Sequence, residues 1–264
     1  MTSTFWRFAL GLILISAGIV MVGQAPGPGN DHPPAAAETL GFSAERLQRL
    51  DRTLQQVADK EFAGMVTILT RHGKVVYSKT TGKQDLEKGV PMQRDTIFRI
   101  ASMTKPITGV AMMILYEEGK WRPEDPIARY IPEFSELKVL APSGMLEAPA
   151  HAPTIGELMT HSAGFTYGGL GGATAVDKLY VDARLTESAS LGEFVAKLGK
   201  IPLAYHPGTR WVYSYSVDIQ GYLVEKLSGI SLPDFVRERI FEPLGMKDTG
   251  FHVPEPKLNR LATV

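Results

Sequence analysis

The rhythm of hydrophobic positions changes along the chain. Leu47, Leu50, Leu54 and Val57 recur at helical spacing behind Ser43, and Phe42 is placed to staple against Leu47. This predicts a helix opening at Ser43. Two short apolar segments follow, Met65-Val66-Thr67-Ile68-Leu69 and Val75-Val76-Tyr77-Ser78. Arg71-His72-Gly73-Lys74 lies between them, which predicts two strands joined by a turn. Beyond the hairpin the pattern is mostly helical. An apolar run over 107–118 stops at Gly119, and another over 217–227 stops at Gly229. Thr154-Ile155-Gly156-Glu157 and Ser190-Leu191-Gly192-Glu193 have the form of capping boxes ahead of apolar residues. Ser231-Leu232-Pro233-Asp234 opens a further helix that must end before Pro243 and Gly245. Residues 141–153 and 164–176 read as loops, the second holding five glycines. Strands first and helices afterwards predict an α+β arrangement rather than alternating βα units.

The N-terminus has a different pattern. Arg7 is followed by the uncharged run 8–22, then by Gly23 and Ala25, and then by Pro26-Gly27-Pro28-Gly29. A basic flank, a short apolar run and a small-x-small site predict a secretory signal peptide over 1–25. The competing reading is an uncleaved membrane anchor, although the apolar run falls short of the roughly 20 residues that span a bilayer comfortably. Residues 26–38 read as a flexible tether, and 39–264 as the folded domain. Either N-terminal reading places that domain outside the cytoplasm, periplasmic, secreted or membrane-anchored. With 28 basic and 28 acidic side chains the chain lacks the charge imbalance of a nucleic-acid binder. It has no cysteine, which excludes disulfides, thiolate metal sites and a cysteine nucleophile. Chemistry must therefore come from oxygen, nitrogen or carboxylate groups.

Several familiar sites are missing. No His-Glu-x-x-His pair exists, the six histidines are scattered, and no phosphate loop is found, so neither a metal nor another cofactor is implied. Gly169-Leu170-Gly171 begins like a dinucleotide fingerprint, but Thr174 stands at the third glycine position and no strand precedes it. Thr160-His161-Ser162-Ala163-Gly164 misses the first glycine of a nucleophile elbow; it reads better as a helix end, with His161 donating to a nearby carbonyl.

Ser102-Met103-Thr104-Lys105 is the better candidate. Residues at i and i+3 share a helix face, so the lysine can meet the serine hydroxyl. A desolvated lysine has a lowered pKa and can take the serine proton. A serine at a helix start also has unbonded N–H groups and the positive dipole end around it, both suited to an oxyanion. Pro106 fits there, because those N–H groups have no intrahelical partner to lose. A second match, Ser135-Glu136-Leu137-Lys138, follows Pro132 in a polar stretch and reads as an exposed turn.

The sequence around Ser102, Phe98-Arg99-Ile100-Ala101-Ser102-Met103-Thr104-Lys105-Pro106-Ile107-Thr108, resembles the nucleophile segment of the serine β-lactamase-related family. That family includes class C β-lactamases, D,D-peptidases and esterases of β-lactamase fold. Three further stretches match its habits in order. They are Glu124-Asp125-Pro126-Ile127-Ala128-Arg129-Tyr130-Ile131-Pro132, the segment from Thr154 through Gly164, and Pro243-Leu244-Gly245-Met246-Lys247-Asp248-Thr249-Gly250-Phe251. The resemblance implies a β-lactamase/transpeptidase-like fold, a helical region plus an antiparallel sheet. It also implies a catalytic tyrosine, and distance from Pro207-Gly208 and Trp211 assigns that position to Tyr213. Tyr215 stands where the family usually has asparagine, which favours the esterase branch with its Tyr-Ser-x-x-x-Asp, here Tyr213 through Asp218. Tyr215 is accordingly a candidate substrate-binding residue.

The family's third element, Lys-Thr-Gly or His-x-Gly on a late strand, is not found; neither Lys257-Leu258-Asn259 nor Lys83 after Gly82 matches. The chain therefore reads as lacking the C-terminal strands of its fold, which leaves the hairpin short of sheet partners. The expected activity is that of a serine hydrolase with an acyl-enzyme on Ser102 and a Lys105–Tyr213 proton relay. A small-molecule ester or amide is the expected substrate, with carboxylic-ester hydrolysis favoured. β-Lactam or D,D-peptide hydrolysis is the alternative within the family, and a catalytically idle binding module is the alternative outside it.

Overall fold

The computed structural model describes residues 37–169 and 174–263. The expected signal peptide and most of the tether lie outside these residues. Residues 37 and 38, assigned to the tether, already belong to a 3-10 turn, Ala37–Leu40.

Helix α1, Ala44–Lys60, starts where the sequence predicts, with the Ser43 hydroxyl accepting the Arg46 N–H at 3.2 Å. Its apolar face is only half-buried. Strands β1, Gly64–Arg71, and β2, Lys74–Asp85, pair antiparallel through the two-residue turn His72-Gly73. Both turn residues have positive φ, +50° and +72°, the requirement of a tight hairpin whose twist matches the strands. A short β3, Val90–Pro91, pairs with the end of β2. The chain's tail also reaches β2, where the Thr263 N–H bonds to the Gln84 carbonyl at 3.0 Å, and it runs beside the segment around Ile97. The Ile97 N–H bonds to the Arg260 carbonyl at 2.7 Å and the Ala262 N–H to the Ile97 carbonyl at 2.8 Å, forming a parallel bridge.

The core lies in the helical region. Helix α2, Thr104–Glu117, buries Thr108, Ala111, Met112 and Leu115. Its end at Gly119, φ +70°, is the predicted stop. Trp121 folds back beneath it, its indole N–H donating to the Met112 carbonyl at 2.8 Å. A minor hairpin, β4 Val139–Leu140 with β5 Leu146–Glu147, interrupts the loop expected over 141–153; two-residue strands are too short to show alternation. Helix α3, Ile155–Met159, has the full capping box of Thr154 and Glu157. The next helix, α4 (Ala175–Asp182), escaped the sequence pattern because aspartate replaces glutamate in its box, Thr174 with Asp177.

Helix α5, Leu191–Leu198, is capped by Ser190, but its predicted box is incomplete. Glu193 reaches one residue further back and accepts the Ala189 N–H at 2.8 Å. Helix α6, Ser216–Ser228, packs on α2 and buries Ile219, Gln220, Gly221, Leu223 and Val224. Helix α7, Leu232–Val236, begins at the Ser231 cap and then widens into a π turn, Arg237–Phe241, whose last two residues are both buried. The fold is thus the expected α+β arrangement, with α2 and α6 together at its centre.

Two sequence features are structural. Asp125 ties its turn together by accepting from the Tyr130 hydroxyl (2.6 Å), Arg129 (2.7 Å) and the Arg122 N–H (2.8 Å). Ser135 and Lys138 are exposed beyond the 3-10 turn Pro132–Phe134, as expected of the second Ser-x-x-Lys match. Among the described residues no helix is long and apolar enough to cross a membrane, and no three His, Asp or Glu side chains gather as metal ligands would.

Candidate active site

Ser102 lies in a 3-10 turn, Ala101–Met103, that leads directly into α2. The serine is therefore just ahead of the α-helix rather than in its first turn. Ala101, immediately before it, has φ +43°, a conformation that costs a non-glycine residue about 1–2 kcal/mol. The strain falls next to the reactive hydroxyl, where the surrounding packing must maintain it.

Two side chains converge on that hydroxyl. Lys105, three residues on, brings its Nζ to 3.3 Å from Ser102 Oγ. Tyr213 arrives from the non-helical segment 211–214 ahead of α6, and its hydroxyl lies 2.7 Å from the same oxygen. The packing of α2 on α6 thus unites residues more than a hundred positions apart. Ser102 is exposed, while Lys105 and Tyr213 are half-buried.

The lysine does not behave as the depressed base expected from the sequence. Burial alone would lower its pKa. The hydrogen bond to Tyr213, with the charges of Tyr167, Tyr213 and Asp218, more than offsets this and holds the ammonium above its ordinary value. The converse acts on Tyr213. Its bond to Lys105, then its bond to Ser102, lowers the phenol's pKa despite some desolvation, as expected of a phenol beside a cation. The two shifts share one cause, the contact between ammonium and phenol, which favours the charged form of each. Burial raises the Asp218 carboxyl above its usual range, with Lys105 pulling against that.

Aromatic rings form the wall of the site. The Lys105 ammonium faces Tyr213 at 4.6 Å and Tyr167 at 5.3 Å from the ring centroids. Tyr167 stacks between Tyr213 (5.3 Å) and Tyr215 (4.4 Å), and Tyr215 meets Phe194 edge-on at 5.2 Å. Tyr167 lines a cavity of about 540 Å³ together with Ser102, Lys105, Asp218, Leu191 and Phe251. Tyr215 stands one ring behind it, half-buried, with its N–H bonded to the Thr166 carbonyl at 3.1 Å. Sequence reasoning missed Tyr167; its signal was an aromatic within a glycine-rich loop. A larger cleft, about 650 Å³, runs past Ala101 between the segments 94–101 and 248–261, but Ser102 and Lys105 do not line it.

His161 takes a role opposite to the one expected. A backbone N–H can only donate, so the Ser214 N–H at 3.2 Å makes His161 Nδ1 an acceptor and leaves the ring proton on Nε2. Burial, and secondarily the Lys105 charge, lower its pKa and favour this neutral form.

An exposed serine met by a lysine three residues on and by a tyrosine from a distant loop, on this α+β scaffold, marks the β-lactamase/transpeptidase-like fold. The chain belongs to the Beta-lactamase family, whose model matches residues 50–264. It is 35% identical over 229 residues to esterase EstB of Burkholderia gladioli, covering 84% of this chain and 57% of that protein. It is 31% identical over 231 residues to a putative D-alanyl-D-alanine carboxypeptidase of Escherichia coli (strain K12), covering 83% of this chain and 50% of that one. Among solved structures it superposes on EstCE1, a hydrolase with promiscuous acyltransferase activity, with a TM-score of 0.71 and 29% identity, over 83% of this chain and 56% of that one. The chain spans about half the length of the curated relatives it matches.

Proposed function

We propose that the protein is an exported carboxylic-ester hydrolase that works through an acyl-enzyme on Ser102. The observation that carries this reading is the placement of Ser102 Oγ between the Tyr213 hydroxyl at 2.7 Å and Lys105 Nζ at 3.3 Å.

Tyr213, ionised beside the Lys105 cation, takes the Ser102 proton as Oγ adds to the ester carbonyl carbon. The carbonyl π pair moves onto oxygen, beside the Lys105 ammonium 3.3 Å from Ser102 Oγ, whose charge stabilises it; the Met103 and Thr104 N–H groups already donate to the Ile100 and Ala101 carbonyls. Collapse of the tetrahedral intermediate breaks the bond to the alcohol oxygen, and Tyr213 returns the proton to that leaving group. In the second half, Tyr213 takes a proton from water as the water oxygen adds to the acyl carbon. Collapse then expels Ser102 Oγ, which regains its proton from Tyr213, and the carboxylic acid departs. Lys105 stays charged throughout and stabilises the phenolate.

Two features support an ester over a β-lactam or peptide substrate: Tyr215 in place of the family's usual asparagine, and relatives named as esterases. The apolar run and small-residue site within 1–25 support export, and N-terminal sequencing of the mature protein tests that part. The enzymatic part is tested by fluorophosphonate labelling of the intact protein beside hydrolysis of a short-chain p-nitrophenyl ester and binding of a fluorescent penicillin. The expected result is stoichiometric labelling and ester turnover, both abolished in Ser102→Ala. Unchanged labelling in that variant would overturn the reading. Penicillin acylation without ester turnover would move the substrate to the β-lactam and peptide side.

A further inference from the structure

Tyr213 is held in a segment without helix or strand, so something other than regular secondary structure must fix its hydroxyl against Ser102. The residue that does this is not adjacent in sequence. The His161 carbonyl accepts the Val212 N–H at 2.9 Å. His161 Nδ1 accepts the Ser214 N–H at 3.2 Å and contacts the Ser214 hydroxyl at 3.1 Å. Between these two anchors the imidazole stacks on the Tyr213 ring itself, centroids 5.2 Å apart and planes 29° apart. Trp211 completes the aromatic cluster, its ring edge-on to the imidazole at 6.1 Å and 6.4 Å from Tyr213. One residue thus grips the backbone on both sides of the tyrosine and one face of its ring.

The geometry of His161 indicates that this grip is built rather than incidental. Its φ is +57°, one of four positive values at non-glycine residues among those described, and the second of them beside the catalytic groups. The left-handed conformation reverses the chain after α3, so that the carbonyl and the ring of one residue can serve the same loop. The Ser214 hydroxyl extends the network inward to Ser216 at 2.8 Å, in the first turn of α6. The clamp is therefore anchored in the core at one end and on the tyrosine at the other.

We propose that His161 is a positioning residue for catalysis, acting through Tyr213 by clamping residues 212–214 and stacking on the phenol. The proposal rests on the reading of Tyr213 as the proton-transfer group. His161 touches neither Ser102 nor a substrate-lined surface in this arrangement, so its removal should slow turnover without weakening ground-state binding.

Three replacements separate its functions. His161→Asn retains an acceptor and tolerates positive φ, but loses the ring. His161→Phe retains the ring and leaves the Ser214 N–H without its acceptor. His161→Gly accepts the backbone conformation and supplies neither. Each is assayed for kcat and KM on a p-nitrophenyl ester with the intact protein, alone and combined with Tyr213→Phe, and checked for folding by circular dichroism. The expected result is a loss in kcat of roughly ten- to a hundredfold for His161→Gly, the fold-change equivalent of a lost hydrogen bond and a lost ring contact, with KM within about threefold. Asn and Phe should each recover part of it, and they keep the comparison available should the glycine variant unfold. In the Tyr213→Phe background the same replacements should have no further effect on kcat.

Multiplying losses in that background, or full activity in a folded His161→Phe and His161→Asn pair, would overturn the positioning role. A Tyr213→Phe enzyme with near-normal kcat would overturn the assignment of Tyr213 instead, so the two failures are distinguishable.

Discussion

Replacing Gly164 by alanine tests how the site loop is seated. Gly164 has φ +93°, and its carbonyl accepts the Ala204 N–H at 2.9 Å. A Cβ there would lie 2.3 Å from the Tyr205 carbonyl oxygen and 3.3 Å from two carbons of Leu203. The nearest obstacle is backbone, which cannot rotate aside as a side chain can. Leu203 is fully buried and is bonded on its other side to Lys138 and Leu140, at 2.7 and 2.9 Å, so the segment has little room to retreat. Backbone strain, the overlap and a weakened hydrogen bond together give a destabilisation of about 4 kcal/mol. For a domain of this size that is a large part of the usual 5–15 kcal/mol and lowers Tm by roughly 10 °C. The control is Gly119→Ala. Its φ of +70° is also unfavourable, yet no atom lies within 4 Å of an added Cβ, so only the strain of about 1–2 kcal/mol remains. Urea unfolding followed by tryptophan fluorescence measures both, with unchanged m-values as the check on two-state behaviour. Equal destabilisation of the two variants would refute the steric reasoning.

Lys105→Met should reduce kcat and move the acidic limb of the pH–rate profile to higher pH. The cation lowers the Tyr213 pKa, and without it the phenol must be titrated nearer its ordinary value before it can act as base. A lower plateau with the limb unmoved would argue that Tyr213 is not the titrating group. Trp121→Phe removes the indole N–H that bonds the Met112 carbonyl at 2.8 Å and should cost about 1–2 kcal/mol in a urea titration; an unchanged midpoint would show that this bond does not brace α2.

The legible parts of the chain share a property: their signals are local. A cap is read from residues three apart, so α1, α3 and α7 open at Ser43, Thr154 and Ser231 as the sequence predicts. The hairpin follows from two β-rich runs and a His-Gly turn. The i, i+3 spacing of Ser102 and Lys105 was also local, and with the flanking residues it identified the family. Local reading failed where the rule was drawn too narrowly, as with the Asp177 box of α4, or where bonds skipped a residue, as with Glu193.

Sequence alone therefore determined the element types, most of their starts, the pairing of Ser102 with Lys105, and through resemblance the approach of Tyr213 to them. Tertiary structure decided three things that no spacing contains. It set the protonation bias, because whether burial or a hydrogen bond dominates at Lys105 depends on what Tyr213 does from a hundred residues away. It placed Tyr167 against the ammonium and Tyr215 one ring behind, although their sequence positions gave no order of depth. It also turned His161 from a supposed donor into an acceptor, because the Ser214 N–H arrives from another segment. Hydrophobic periodicity and capping act over a few residues, whereas desolvation, stacking and pairing act through space, and only the packed chain brings those groups within reach.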